Sequence, residues 1–270
     1  MSSGLSLHIG LNFVDPKHYG GWDGKLNACE QDAADMQLLA SSQGFETIKL
    51  SGENATRENV ASTIKKAAKE LNGNDIFHIS YSGHGGQVPD FNNDEADGQD
   101  ETWCLFDGQL IDDELKAFWT LFKKGVRIFI TSDSCHSGTI IKSASRRSIS
   151  YTDIEPRYMD DQHSLNVYLK NKPFYDDLLS KVEAVKSSDI VASVLLISGC
   201  QDNQYSYDGA FNGAFTGALK RVWNGGKFNG NYREFHKQIL NLLPAYQSPN
   251  ILTSGMPNIN FENQKPYFIG

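Results

Sequence analysis

Tyr81-Ser82-Gly83-His84-Gly85-Gly86 and Asp133-Ser134-Cys135-His136-Ser137-Gly138 each close a short apolar run, over residues 75–81 and 126–132. Arg127-Ile128-Phe129-Ile130-Thr131 is apolar with almost no alternation, and Ser193-Val194-Leu195-Leu196-Ile197-Ser198 repeats the pattern. Such runs predict strands of a sheet covered on both faces. Working outward, residues 5–14 and 45–50 read as two earlier strands. Helices are predicted over 26–42, where Leu26, Cys29, Ala33, Met36 and Ala40 recur at helical spacing, and over about 56–71, with Thr56 as cap. Residues 102–111 read as a hairpin turning at Asp107-Gly108. Further helices are expected from Asp112 to near Gly125, over 213–223 and over 232–243, with a last short strand near 258–268. Strands alternating with helices imply right-handed crossovers and a mostly parallel sheet. The basic, polar start of residues 140–188 shows no period and reads as a long loop, functional or disordered.

The class follows from composition. The chain has 270 residues, 39% hydrophobic and 21% charged, which excludes a disordered or collagen-like protein. No apolar run reaches the roughly 20 residues of a membrane span, and the start MSSGLSLHIG has no basic leader, so a cytoplasmic protein is expected. The formal charge of −8 disfavours nucleic acid and anionic lipid as partners and favours basic ones. Four cysteines, Cys29, Cys104, Cys135 and Cys200, form no C-x-x-C pair, so reduced thiols are expected rather than a zinc knuckle or disulfide framework.

Ligands of open parallel sheets bind at the carboxyl ends of the strands. Neighbouring strands ending in His84 and Cys135 would bring an imidazole beside a thiol, and the thiolate so favoured is a nucleophile. The glycines around His84 let the backbone turn and expose N–H groups. An esterase of the α/β-hydrolase type fits less well. Its nucleophile elbow needs glycine two residues either side of the nucleophile, and here those residues are Asp133 and Ser137.

YSGHGG at 81–86 and DSCHSG at 133–138 resemble the His and Cys motifs of the metacaspases, cysteine peptidases of the caspase–hemoglobinase clan. LNACEQDAADM at 26–36, DEADGQDETW at 94–103, ISGCQDNQYSYDG at 197–209 and GAFTGAL at 213–219 resemble further stretches of that family in the same order. The bacterial members, the orthocaspases, often lack the family's long Pro/Gln-rich prodomain, and no such stretch is seen in this sequence. The resemblance implies an α/β fold: a caspase-like three-layer sandwich with a mostly parallel central sheet of about six strands and helices on both faces. It implies a single peptidase domain over 1–270, divided into a large-subunit-like part (1–140), a linker and crossover (141–190) and a small-subunit-like part (191–270). It also implies a monomer. A catalytically inactive adaptor would be expected to have lost the Cys or the His, and both are present.

The resemblance gives Cys135 as nucleophile and His84 as general base and acid. Backbone N–H groups of Gly85 and Cys135 would hold the oxyanion, each worth roughly 3–4 kcal/mol. Asp32 and Asp133, with Cys29 and Ser82, would line a pocket for Arg or Lys of a peptide substrate. The blander alternative is that Asp32 and Asp133 only accept from nearby N–H groups. Many metacaspases are calcium-activated, which implies Ca2+ as an activator at Asp97, Asp112 and Asp113, Asp97 lying in the acidic loop with Asp94 and Asp100; the alternative is a solvated acidic loop. The loop does not fit an EF-hand, and the family's acidic residue shortly after the nucleophile is absent here. Arg147, Arg146 and Lys142 are the expected autocleavage positions, because an Arg/Lys-specific enzyme meets them just past its own active site.

Overall fold

The computed structural model describes residues 2–90, 98–134, 156–181, 187–200, 206–209 and 211–270. From the N-terminus the elements are β1 (Gly4–Gly10), α1 (Cys29–Ser42), β2 (Glu46–Ser51), α2 (Arg57–Glu70), β3 (Ile76–Ser82), β4 (Gly85–Pro89), β5 (Gln99–Leu105) and β6 (Gly108–Ile111). They continue with α3 (Asp112–Trp119), β7 (Arg127–Asp133), α4 (Asp161–Lys170), α5 (Lys172–Lys181), β8 (Ser193–Ser198), α6 (Ala214–Trp223), α7 (Tyr232–Leu240), β9 (Asn250–Gly255) and α8 (Ile259–Asn263).

Six strands form one sheet in the order β2-β1-β3-β7-β8-β9. All pairings are parallel except β8 with β9. Alternation along each strand sends side chains into two separate cores. Leu7, Ile9, Phe77, Ile79 and Ile128 pack with Val60 and Ile64 of α2 and Leu115 and Trp119 of α3. Ile76, Phe129, Leu195 and Ile197 pack with Met36 and Leu39 of α1, Phe215 and Leu219 of α6, and Tyr232 and Phe235 of α7. With helices on both faces, the fold is the expected three-layer α/β sandwich. Among the described residues, no helix is long and apolar enough to cross a membrane.

Caps and close approaches set the helix positions. Thr56 accepts from Asn59 N–H and starts α2, as the sequence indicates. The head of α1 lies so tightly on β1 that a Cβ on Gly10 would stand 2.3 Å from the Cys29 carbonyl oxygen. Ala28, at the N-cap of α1, has no side-chain cap; Asp208 serves instead, accepting from Asn27 N–H at 2.6 Å and Ala28 N–H at 3.2 Å.

The expected hairpin at 102–111 forms as β5 and β6, and β4 joins it in a three-stranded antiparallel sheet, because the glycine turn after His84 leads straight into β4. Other expectations are corrected. The last strand is β9, not residues 258–268. Those residues hold α8, started by Asn258, whose side chain accepts from Phe261 N–H at 3.0 Å. The helix opened by Asp112 stops at Trp119. The segment 140–188, expected to be loop, contains α4, started by Asp160 accepting from His163 N–H, and α5.

Candidate active site

β3 and β7 pair in parallel with Ser82 opposite Asp133. His84 stands two residues beyond Ser82, and Cys135 two residues beyond Asp133. Cys135 itself lies outside the described residues, as do Asp94, Asp97, Lys142, Arg146 and Arg147.

His84 is buried at 6% exposure. Its Nε2 is 3.0 Å from the carbonyl oxygen of Gly24. A carbonyl can only accept, so Nε2 carries the proton and Nδ1 keeps its lone pair. Nδ1 has no hydrogen-bond partner among the described residues. The ring lies against Trp22, with centroids 4.7 Å apart. Its carbonyl is fixed by Tyr81 Oη–H at 2.6 Å and Cys104 N–H at 3.0 Å. Burial pushes the His84 pKa down to about 4, opposed by the bond to Gly24 and aided by the nearby Arg157 charge. The imidazole is therefore neutral at physiological pH, with one ring nitrogen free to take a proton.

The acidic pair does come together, and it holds a guanidinium. Arg157, fully buried, donates through Nη2 to Asp32 Oδ2 at 2.8 Å and to Asp208 Oδ1 at 2.9 Å. Through Nη1 it pairs with Asp133 Oδ2 at 2.9 Å and donates to Ser82 Oγ at 2.8 Å. Three carboxylates surround one cation, and N–H and O–H donors support the excess negative charge. Asp32 accepts from Gly213 N–H at 3.2 Å and Asn212 Nδ2 at 2.8 Å. Asp133 accepts from Thr216 N–H at 3.1 Å, Thr216 Oγ1 at 2.8 Å and Ser206 Oγ. Gly213 and Thr216 head α6, whose N-terminal N–H groups favour negative charge. Burial pushes the Asp32 carboxyl upward while Arg157 pulls it down. Burial opposes the Arg157 charge, and Asp133 and the other acids outweigh it. Gly213 must be glycine here, because a Cβ would stand 2.5 Å from the Arg157 guanidinium. The cavity that remains among Asp32, Ser82, Asp133 and Thr216 is about 10 Å³, room for no more than one water.

Asp32 and Asp133 thus both accept from nearby N–H groups and pair with the Arg157 guanidinium. Cys29 is buried beside Ser82, and burial pushes its thiol far up, so it is an uncharged neighbour of the cluster. Cys29, Cys104 and Cys200 are all unbridged. Sequence reasoning missed Asp208, Arg157 and the Gly24 carbonyl. Asp208 lies inside the quoted 197–209 motif, so that motif could have pointed to it; the other two give no sequence signal.

A second acidic cluster joins Asp112 and Asp113, at the head of α3, to Asp100 on β5, with carboxylate oxygens within 4.8 Å of one another. An all-oxygen donor set of this kind fits a hard cation such as Ca2+. Lys116 now stands there, with Nζ 2.9 Å from Asp112 and 3.2 Å from Asp113.

Residues 12–268 match the caspase domain family, Peptidase_C14. Metacaspase-1 of Schizosaccharomyces pombe is 32% identical over 251 residues, covering 79% of this chain and 57% of that protein. Metacaspase-1 of Saccharomyces cerevisiae is 28% identical over 256 residues, covering 81% of this chain and 57% of that one. The chain thus spans a little over half the length of these relatives. Among solved structures, protein GSU0716 from Geobacter sulfurreducens is 54% identical, with a TM-score of 0.91 over 99% of both chains. Caspase-1 from Spodoptera frugiperda shares the fold at 11% identity, with a TM-score of 0.57 over 94% of this chain and 89% of that one. The chain belongs to the caspase domain family, as a metacaspase-like member of the caspase clan of cysteine peptidases.

Proposed function

We propose that this chain is a cysteine endopeptidase that cleaves peptides after Arg or Lys. The observation that carries the specificity is the cage of Asp32, Asp133 and Asp208, already filled by a guanidinium. A planar cation with five donors suits carboxylates fixed on three sides, and an ammonium fits the same charge with fewer bonds. An acidic residue in that place would meet three like charges.

In this reading His84 Nδ1 takes the Cys135 thiol proton. The thiolate attacks the carbonyl carbon, and Gly85 N–H, with Cys135 N–H, holds the oxyanion. His84 then returns the proton to the departing amine nitrogen, and water, deprotonated by His84, hydrolyses the thioester. The Gly24 carbonyl keeps the ring in the tautomer this requires. Ca2+ is proposed as an activator at Asp100, Asp112 and Asp113, where it would displace Lys116; Asp97 was expected in this set. Self-processing within 141–190, a monomeric state and a cytoplasmic location belong to the same proposal. A panel of peptides differing only at the residue before the cut tests it, with Arg and Lys expected to lead and an acidic or apolar preference refuting the pocket.

A further inference from the structure

The guanidinium in the acidic cage belongs to the chain itself, and its backbone is bound as closely as its side chain. Arg157 N–H donates to the Ser206 carbonyl at 2.9 Å. Gly85 N–H donates to the Arg157 carbonyl at 3.0 Å, and Met159 N–H donates to the Gly85 carbonyl at 2.8 Å. Pro156 pairs antiparallel with Tyr207 and Tyr158 pairs parallel with Gly85, so residues 156–158 lie extended between two strand-like edges. A buried structural arginine needs carboxylates around its side chain. It has no need to place its carbonyl on the N–H next to His84, the donor expected to hold an oxyanion. A residue whose own carbonyl is to be attacked meets both conditions together.

We propose that Arg157 is the enzyme's first substrate: it fills the specificity pocket of the uncut chain, and the bond cleaved is Arg157–Tyr158. This rests on the peptidase reading above and goes beyond it, naming one bond and a way of holding the enzyme shut. The Cys135 thiolate bonds to the Arg157 carbonyl carbon, and the electron pair of that carbonyl moves to oxygen under Gly85 N–H. Collapse of the intermediate breaks the C–N bond, and the Tyr158 nitrogen leaves with the proton held by His84. Water then releases the Arg157 carboxylate and regenerates the thiol. The products are residues 1–157 and 158–270. They stay together through the central sheet, because β7 in the first pairs with β8 in the second. The new chain end at 157 is free to leave the cage, which then accepts Arg of another peptide. Because the bond is already seated in its own chain, the cut is intramolecular.

The test follows the wild type, Cys135→Ala, Arg157→Lys, Arg157→Gln and Tyr158→Pro by intact mass, N-terminal sequencing and hydrolysis of an Arg peptide. The wild type should yield a new N-terminus at Tyr158, with the same half-time over about a fiftyfold range of protein concentration. Cys135→Ala should stay whole. Arg157→Lys should be cut at the same bond. Arg157→Gln should not, but it leaves three buried carboxylates without their cation and can fail to fold. Tyr158→Pro avoids that: it keeps Arg157 in the cage while its ring crowds the leaving nitrogen. It should remain uncut, with kcat/KM for the Arg peptide at least about tenfold below that of the cut wild type, since the pocket is open only part of the time. Cleavage only elsewhere, after Lys142, Arg146 or Arg147, overturns this proposal and leaves the peptidase reading standing. So does an uncut wild type or Tyr158→Pro protein that hydrolyses the Arg peptide at the full rate. No hydrolysis of any Arg or Lys peptide and no self-cut by any form overturns both.

Discussion

Replacing Asp133 by Asn and by Ala separates charge from hydrogen bonding in the pocket. Asp133 Oδ2 receives Arg157 Nη1, Thr216 N–H and Thr216 Oγ1, and Oδ1 receives the Ser206 hydroxyl. An asparagine can keep its oxygen at the Oδ2 position and turn its NH2 toward Ser206, whose hydroxyl can rotate to accept. The shape and the bonds then survive and only the charge is lost. A charge-assisted bond is about twice as strong as a neutral one, so the loss is about 1–2 kcal/mol, roughly five- to thirtyfold in kcat/KM for an Arg peptide. Alanine instead leaves the guanidinium and both Thr216 donors facing a void. Removing one partner of a buried ion pair costs about 3–5 kcal/mol, roughly two to three and a half decades. The assay is steady-state kcat/KM on matched Arg, Lys and Asp peptides, with thermal unfolding in parallel. The expected order is wild type, Asn, then Ala, with no gain on the Asp peptide. Arg-peptide rates for Asn and Ala both within about threefold of wild type would refute the reasoning.

Gly213→Ala would push a methyl group into the Arg157 guanidinium, destabilising the protein by about 1–3 kcal/mol, and denaturant midpoints should show it. Burial holds both His84 and His78 near a pKa of about 4, well below the ordinary 6.5. A group depressed on folding contributes stability above its unfolded pKa, so stability should fall as pH drops from 6.5 toward 4, by up to about 3 kcal/mol per site. A flat urea midpoint across that window would contradict it. Millimolar Ca2+ should raise the Arg-peptide rate of the wild type and not of Asp113→Asn; equal wild-type rates in calcium and chelator would rule out the cation site at Asp100, Asp112 and Asp113.

The central strands were legible because β3 and β7, buried along their whole length, carry short runs of large apolar residues and each ends in a small-residue turn carrying reactive groups. β9 was hidden, because an edge strand with Leu252 and Thr253 exposed lacks the apolar run that marks a buried one. α8 was misread because its five residues show too little period, although Asn258 is a sound cap. Asp32 and Asp133 were legible as a pair through their motifs. Arg157 was not: a single cation in a segment of no clear period gives no hint that it folds back onto acids 24 and 125 residues earlier in the chain. The Gly24 carbonyl that sets the His84 tautomer is backbone, and a sequence cannot single out one carbonyl.

The central claim, a Cys–His peptidase with an acidic pocket, rests most directly on one comparison: hydrolysis of an Arg peptide by wild type and by Cys135→Ala at equal folded concentration, checked by near-UV circular dichroism. The account predicts Arg cleavage by wild type and none above background by the variant, with the two spectra superimposed. Equal turnover by the two proteins, or a wild type that cleaves after Asp and not after Arg, would contradict it.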